Sequence, residues 1–193
     1  MNYSGIIKAD FANGLGVRVT LFVSGCDLRC HGCHSPKLWD YENGVPFDNG
    51  AKEEVMSCLQ KDWVSGLTLS GGQPLAPENI ASVYELVREV KERFPLKNIW
   101  LYTGYTLSPE DFSGTNDSPL QLYTGYTLSP EDFSGTNDSP LHRTIALCDV
   151  IVDGEYDEAK RDTTLAFRGS SNQRIIDVKQ TMASGKIVTF AID

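Results

Sequence analysis

Apolar and polar positions follow two different periods in the first half of the chain. Three short runs rich in β-branched and other apolar residues predict buried strands, at residues 17–25, 66–70 and 98–104. Between them, apolar residues recur at the spacing of an amphipathic helix, over residues 51–62 and 77–94. Because strands and helices alternate, the pattern predicts a parallel sheet whose strands are joined by right-handed crossovers.

The second half of the chain is less regular. Residues 148–154 predict a fourth buried strand. The charged residues 155–167 and the polar, glycine-containing residues 167–174 predict loops instead. Two further apolar runs, at residues 174–178 and 186–190, lie on either side of Ser184-Gly185 and predict a small C-terminal hairpin.

One segment of the chain is duplicated. Residues 101–120 recur without a change at residues 122–141, separated by Gln121. Solenoid repeats diverge in sequence and need about three units to bury a core, so two identical copies indicate a recent duplication or an artefact of the sequence. Only one copy of Leu-Tyr-Thr-Gly-Tyr can fill the third strand position, and residues 98–100 extend the first copy. We therefore expect the second copy to form a surface insertion, with an extra edge strand at residues 122–126 as the alternative.

Composition and charge narrow the class of protein. A length of 193 residues suits a single domain, residues 1–193, of the α/β class. The net charge of −9 argues against nucleic acid as the main partner, because phosphate binding requires a basic face. No apolar run approaches the ~20 residues of a membrane span, and the N-terminus has no secretory pattern. With an odd number of five cysteines, these features predict a cytoplasmic protein without a disulfide framework or a membrane partner.

The chemistry of the chain is concentrated in a cysteine loop that follows the first predicted strand. Cys26, Cys30 and Cys33 have the spacing C-x₃-C-x₂-C. Three thiolates on one loop can bind three corners of a [4Fe–4S] cluster, whereas electron-transfer clusters use four cysteines. The other two cysteines, Cys58 and Cys148, are distant in sequence, and Cys58 is expected to be a core thiol. One iron would therefore remain open for a substrate or cofactor.

Two other interpretations of the same cysteines remain open from the residues alone. A structural zinc site would use the three thiolates with His31 or His34 as the fourth ligand. The paired-knuckle spacing of most zinc sites is absent, because no second C-x₂-C motif follows. The cysteines could also be unligated thiols, although three cysteines within eight residues usually indicate metal or redox chemistry.

Polar and glycine residues at the predicted strand ends are candidates for a binding site. Gly71, Gly72 and Gln73 follow the second strand, where glycines allow a ligand to approach the backbone closely, or simply form a turn. Asp153 ends the fourth strand and is either a pocket residue or a turn residue, since parallel sheets bind ligands beyond their C-terminal strand ends. Arg18, in the first strand, alternates with apolar neighbours and either lies on a solvated polar face, which the residues alone favour, or neutralises the charge of a cluster or cofactor.

Several segments together resemble one family, the activating proteins of anaerobic (class III) ribonucleotide reductases, which are radical S-adenosylmethionine (SAM) enzymes. The segments that carry the resemblance are residues 10–18, 21–26, 71–72, 99–105, 152–154 and 168–174. The last of them, Arg-Gly-Ser-Ser-Asn-Gln-Arg, distinguishes this family from the pyruvate formate-lyase activating enzymes. The chain differs from the family pattern at Gln73, where an acidic residue is usual, and at His34 and Ser35, where Tyr-Asn is usual.

This resemblance implies a fold, cofactors and a reaction. The fold would be a small, incomplete (βα) radical SAM barrel with a mostly parallel sheet. Cys26, Cys30 and Cys33 would hold a [4Fe–4S] cluster whose open iron chelates SAM. The remaining SAM-binding residues would be Gly71, Gly72, Gln73, Thr103, Asp153 and Arg168.

The implied reaction is the reductive cleavage of SAM. A 5′-deoxyadenosyl radical then takes a hydrogen atom from a glycine near the C-terminus of the large subunit of anaerobic ribonucleotide reductase. A protein such as flavodoxin would donate the electron, and no side-chain acid or base is required. The alternatives are activation of another glycyl-radical enzyme of the pyruvate formate-lyase type, or a non-catalytic iron–sulfur or zinc-binding module.

Overall fold

The computed structural model describes residues 1–113 and 139–192, which form a mixed seven-stranded sheet and five α-helices. The strands are β1 Asn2–Asp10, β2 Arg18–Val23, β3 Val45–Pro46, β4 Gly66–Gly71, β5 Asn98–Tyr102, β6 Val150–Asp153 and β7 Arg174–Asp177. The helices are α1 Asn49–Leu59, α2 Pro77–Arg93, α3 Pro109–Ser113, α4 Pro140–Leu147 and α5 Val178–Ser184. Within these residues, no helix combines the length and the apolar character that crossing a membrane requires.

The centre of the sheet is parallel, as the alternating pattern predicted. The strand order is β3-β1-β2-β4-β5-β6-β7, and β2, β4, β5 and β6 pair in parallel. The four predicted core strands and both predicted helices are confirmed. Both edges of the sheet are antiparallel, because β1 pairs with β2 and β3, and β7 pairs with β6. The pattern did not predict β1, in which all residues except Asp10 are partly or fully exposed.

Side-chain alternation along the strands assigns two different environments to the two faces of the sheet. On one face, Leu21, Leu69 and Leu101 join the large core that packs against the helices. On the other face, Trp100 belongs to a smaller cluster with residues of β6 and β7. The rings of Phe167 and Phe190 cover Trp100 edge-on, with centroid distances of 5.3 and 5.8 Å. These two aromatic rings therefore cover the second face of the sheet next to β6 and β7.

Arg18 does not lie on a solvated face, and that prediction is wrong. Its side chain is fully buried. The guanidinium donates to Thr68 Oγ1 at 2.5 Å, to Asn98 Oδ1 at 2.7 Å and to Leu67 O at 2.6 Å. It also lies over the Trp100 ring, 5.4 Å from the centroid. Arg18 therefore links β2 to β4 and β5 inside the molecule, and burial lowers its pKa to about 10.

The predicted C-terminal hairpin is wrong in its connection. The first segment forms β7, and the second returns beside it through a bridge between Ile176 and Thr189. Main-chain hydrogen bonds join Asp177 N to Val188 O at 2.9 Å and Phe190 N to Ile175 O at 2.7 Å. However, helix α5 forms most of the connection between the two segments, where a hairpin turn was expected.

Both copies of the duplicated segment contribute to the described fold. The first copy supplies the end of β5 and helix α3, whose Phe112 is buried. Only the last three residues of the second copy are described, and they begin α4 and bury Leu141. The expectation that the second copy is a surface insertion falls on residues 114–138, which lie outside the described residues.

Candidate functional site

A cavity of about 740 Å³ opens at the C-terminal ends of the parallel strands. This is where open parallel sheets bind ligands. Four parts of the chain line it: the ends of β2, β4 and β5, the loop between β1 and β2, the cysteine loop, and the loop after β6. The lining residues used below are Cys33, His34, Gly71, Tyr102 and Arg168.

The three cysteines of the predicted cluster loop follow β2 and are free, partly exposed thiols. The chain turns into the loop at Gly25, which has a φ of +93°. A Cβ at that position would collide with the ring of Tyr41. Within the loop, Cys33 N donates to Cys30 O at 3.2 Å and Ser35 N donates to Cys33 Sγ at 3.4 Å. The sequence therefore presents all three thiols from one short, turned segment.

The electrostatic environment of the loop opposes free thiolates. Burial raises the pKa of Cys26. Burial, together with the nearby Glu155 carboxylate, raises the pKa of Cys30 to about 12. Because metal ligands must be deprotonated, a cationic partner at the loop would have to offset these costs. Cys58 and Cys148 differ, since both are buried in the core against the helices, and Cys58 is the core thiol that the sequence predicted.

Ligand convergence does not decide which metal the loop would hold. Among the described residues, no three Cys, His, Asp or Glu side chains converge to hold one metal ion. A single zinc ion would need such convergence, because its four ligands share one tetrahedral centre. In a [4Fe–4S] cluster, each cysteine binds a different iron. The cluster ligands and the zinc alternative both stay predictions.

The Gly-Gly-Gln turn after β4 packs directly against the cysteine loop. Gly72 N donates to Val23 O at 2.8 Å, and Gln73 N donates to Gly25 O at 2.7 Å. A Cβ at Gly72 would collide with Gly25 O, and one at Gly71 would lie 2.6 Å from Val23 O. Gly71 also lines the cavity. Chain packing therefore explains why Gly72 lacks a side chain, whereas Gly71 is also in place to meet a ligand.

Gln73 and Thr103, both predicted to bind SAM, lie together and are buried. Thr103 Oγ1 donates to Gln73 Oε1 at 2.8 Å, and Leu75 N donates to the same oxygen at 3.3 Å. Gln73 Nε2 has no hydrogen-bond partner in the described part of the chain. Both N–H donors of this buried amide are therefore unpaired among the described residues.

Asp153 has a structural partner. Its side chain is fully buried, and Arg174 Nε donates to Oδ1 at 2.9 Å. Arg174 Nη2 also donates to Asp153 Oδ2, which accepts from Leu107 N at 2.8 Å. This carboxylate raises the pKa of Arg174. Asp153 thus ties β6 to β7 and to the loop after β5, and its predicted contact with SAM remains a prediction without support here.

Arg168, which the resemblance implied to bind SAM, lines the cavity. Its Nη1 donates to Gln173 O at 2.9 Å, and its buried Nε has no partner among the described residues. Tyr102, at the end of β5, lines the same cavity, and its buried hydroxyl also has no partner there. Burial raises the pKa of Tyr102, so its phenol stays protonated. Sequence reasoning missed Tyr102, although its position at a parallel strand end, next to Thr103, is a usable signal.

The chain is similar to proteins of known name over most of its length. Residues 12–115 and 110–176 match a family described as a 4Fe-4S single cluster domain. The anaerobic ribonucleoside-triphosphate reductase-activating protein of Enterobacteria phage T4 is 39% identical over 175 residues, which are 91% of this chain and 93% of the phage protein. Proteins of the same name from Pasteurella multocida and Escherichia coli K12 are 35% and 33% identical, covering 91% and 90% of this chain and 96% of each relative.

These similarities confirm the resemblance found in the sequence motifs. They extend well beyond the cysteine loop and include the strand ends that surround the cavity. The chain belongs to the family of anaerobic ribonucleoside-triphosphate reductase-activating proteins.

Proposed function

We propose that the chain is a radical SAM enzyme that installs a glycyl radical on the large subunit of an anaerobic ribonucleotide reductase. One observation carries the proposal: the three-cysteine loop borders a cavity at the C-terminal ends of the parallel strands. Relatives that share a third or more of their residues with this chain are named activating proteins of that reductase. The same proposal includes an incomplete (βα) radical SAM barrel as the fold of the chain.

The residues around the cavity fit the two cofactors. A volume of about 740 Å³ is within the range of small-molecule sites. Arg168 Nε and the Tyr102 hydroxyl are buried polar groups without partners in the described residues, and a polar ligand could satisfy both. Cys26, Cys30 and Cys33 offer three thiols for a cluster with one open iron.

When bound, the cluster and SAM would supply a 5′-deoxyadenosyl radical, which takes a hydrogen atom from a glycine Cα of the reductase. The protein itself would bind the cluster and SAM, orient them, and shield them from water. The three cysteines would hold the cluster at the cavity mouth, and the backbone at Gly71 would lie against SAM. Arg168 would supply positive charge for an anionic group of the ligand. No side chain has to act as an acid or base, because hydrogen moves as an atom.

The partners follow from the same reaction. The protein substrate would present its glycine at the open end of the cavity, and a donor such as flavodoxin would supply the electron. The five free cysteines support a reducing compartment, the cytoplasm. The net charge of −9 makes nucleic acid an unfavourable partner.

The proposal is tested by anaerobic reconstitution with iron and sulfide, followed by incubation with SAM, a reductant and the candidate reductase. We expect a brown protein and a glycyl radical on the reductase, detected by electron paramagnetic resonance. A radical that forms on pyruvate formate-lyase and not on the reductase would favour the alternative activase. A colourless protein that retains zinc would favour the zinc module.

A further inference from the structure

Asn79 joins the two segments that form the proposed cofactor site. It lies in the first turn of α2, and its side chain is 1% exposed. Its amide nitrogen Nδ2 donates to Ser24 O at 2.9 Å and to Gln73 O at 3.0 Å. Ser24 lies two residues before the first cysteine of the loop, and Gln73 is the third residue of the Gly-Gly-Gln turn.

Ser24 lies just beyond β2, where the parallel ladder with β4 no longer supplies a partner, and Asn79 is the donor that its carbonyl has among the described residues. Gln73 O also accepts from Ala76 N at 3.1 Å, so Asn79 adds a second hydrogen bond to that carbonyl. One planar amide group carries both donor hydrogens at a fixed separation. It therefore fixes the distance between the two carbonyls as well as satisfying them. A main-chain hydrogen bond from Gln73 N to Gly25 O, 2.7 Å long, also joins the glycine turn to the start of the cysteine loop.

We infer that Asn79 is a positioning residue, which sets the cysteine loop at the correct distance from the Gly71–Gly72 backbone. The inference rests on the proposed function, in which the loop carries the cluster and the glycine turn meets SAM. Asn79 does not line the cavity. Its effect on SAM must therefore pass through the two backbone segments that it holds.

The test is Asn79→Leu, which keeps a similar side-chain volume and removes both donors. In the reconstituted protein, we expect SAM to bind at least tenfold more weakly. The electron paramagnetic resonance spectrum of the reduced cluster with SAM should also change. Hydrogen exchange should become faster in peptides covering residues 24–39 and 71–76 and stay unchanged elsewhere. If this variant does not fold, Asn79→Ser, which keeps one donor, should show the same changes at smaller size.

The matched control is Thr181→Val. Thr181 is fully buried in α5 and accepts one hydrogen bond from Val188 N at 3.0 Å, away from the cavity. This variant should lose comparable stability and keep wild-type SAM affinity and spectrum. Wild-type SAM affinity in a folded Asn79→Leu protein, or an equal loss of affinity in Thr181→Val, would overturn the inference. Failure of the wild type itself to bind a cluster or SAM would overturn the proposed function, and the inference with it.

Discussion

The residues at this site are of two kinds. Some have polar atoms without a partner among the described residues, which a ligand could bind, and others are already paired within the fold. Arg168 and Tyr102 line the cavity with unpartnered polar atoms, whereas the carboxylate of Asp153 is occupied by Arg174. The cysteines divide in the same way, with three on the exposed loop and two in the core. Substitutions should therefore separate the two classes by their effect on cofactor binding and on stability.

The clearest residue-scale prediction concerns the cysteines. Cys26→Ala, Cys30→Ala and Cys33→Ala should each abolish cluster assembly and SAM cleavage, because an incomplete set of thiolates cannot hold the cluster. Iron content and the spectrum of the reduced cluster provide the measurement. Cys58→Ala and Cys148→Ala are matched controls, since both remove a buried thiol from the core, and both should retain the cluster. Loss of the cluster in Cys148→Ala would overturn the ligand assignment.

A second prediction concerns the tyrosine hydroxyl that sequence reasoning missed. Tyr102→Phe removes a buried hydroxyl without a partner in the described residues, so no internal hydrogen bond is lost. The free energy of unfolding, measured with urea, should stay within about 0.5 kcal/mol of the wild type or rise. The affinity for SAM, measured on the reconstituted protein, should fall.

The contrasting variant is Thr68→Val. The Thr68 hydroxyl accepts from Arg18 Nε and donates to Asn13 O, so its removal should cost about 1–3 kcal/mol of stability. A Tyr102→Phe protein that is destabilised as much as Thr68→Val would show that the Tyr102 hydroxyl has a structural partner.

At the scale of elements, the antiparallel edge formed by β7 is joined to β6 by an ion pair between Asp153, which is fully buried, and Arg174, whose side chain is 33% exposed. Arg174→Met should destabilise the protein by about 3–5 kcal/mol, because it leaves the fully buried Asp153 carboxylate without a counter-charge. Urea unfolding at neutral pH measures the loss. Asp153→Leu combined with Arg174→Met should recover part of it, since no charge is then left buried. A loss below about 1 kcal/mol in the single variant would mean that β7 is held mainly by its apolar contacts.

At the scale of the whole molecule, the duplication provides the test. Removal of one 21-residue period gives the same 172-residue sequence whether residues 101–121 or residues 114–134 are deleted. The product keeps β5, α3 and α4, because the first copy supplies the start of the segment and the second copy its end. The composition of the segment predicts that the additional residues lengthen a surface loop. Such a change adds only about 0.6 kcal/mol per doubling of loop length, so the parent and the deletion protein should have similar stability.

The deletion protein should also bind its cluster and activate its partner about as well as the parent. Unfolding curves and the yield of glycyl radical, measured side by side, provide the comparison. Poor folding or lost activity after the deletion would show that the fold or the activity needs the additional 21 residues, and not only the end of the second copy that begins α4.

The sequence by itself determined the features that depend on neighbouring residues. Side-chain period predicted the four parallel strands and the two long helices between them. Cysteine spacing predicted the cluster loop, because ligands on one loop need no tertiary contact to be recognised. The position of Gly71 and Gly72 at a strand end followed from the same local pattern.

Only the tertiary structure decided the features that join distant residues. Arg18 is buried because its partners on β4 and β5 lie 50 and 80 residues away in sequence, and no local pattern contains them. Asn79 reaches Ser24 across 55 residues, and Asp153 meets Arg174 across 21. The antiparallel edges also depend on partners elsewhere in the chain. Strand β1 has no clear apolar pattern, and its pairing with β2 holds it in the sheet. Chain folding, which brings these partners together, thus determines which polar residues support the sheet and which face the cavity.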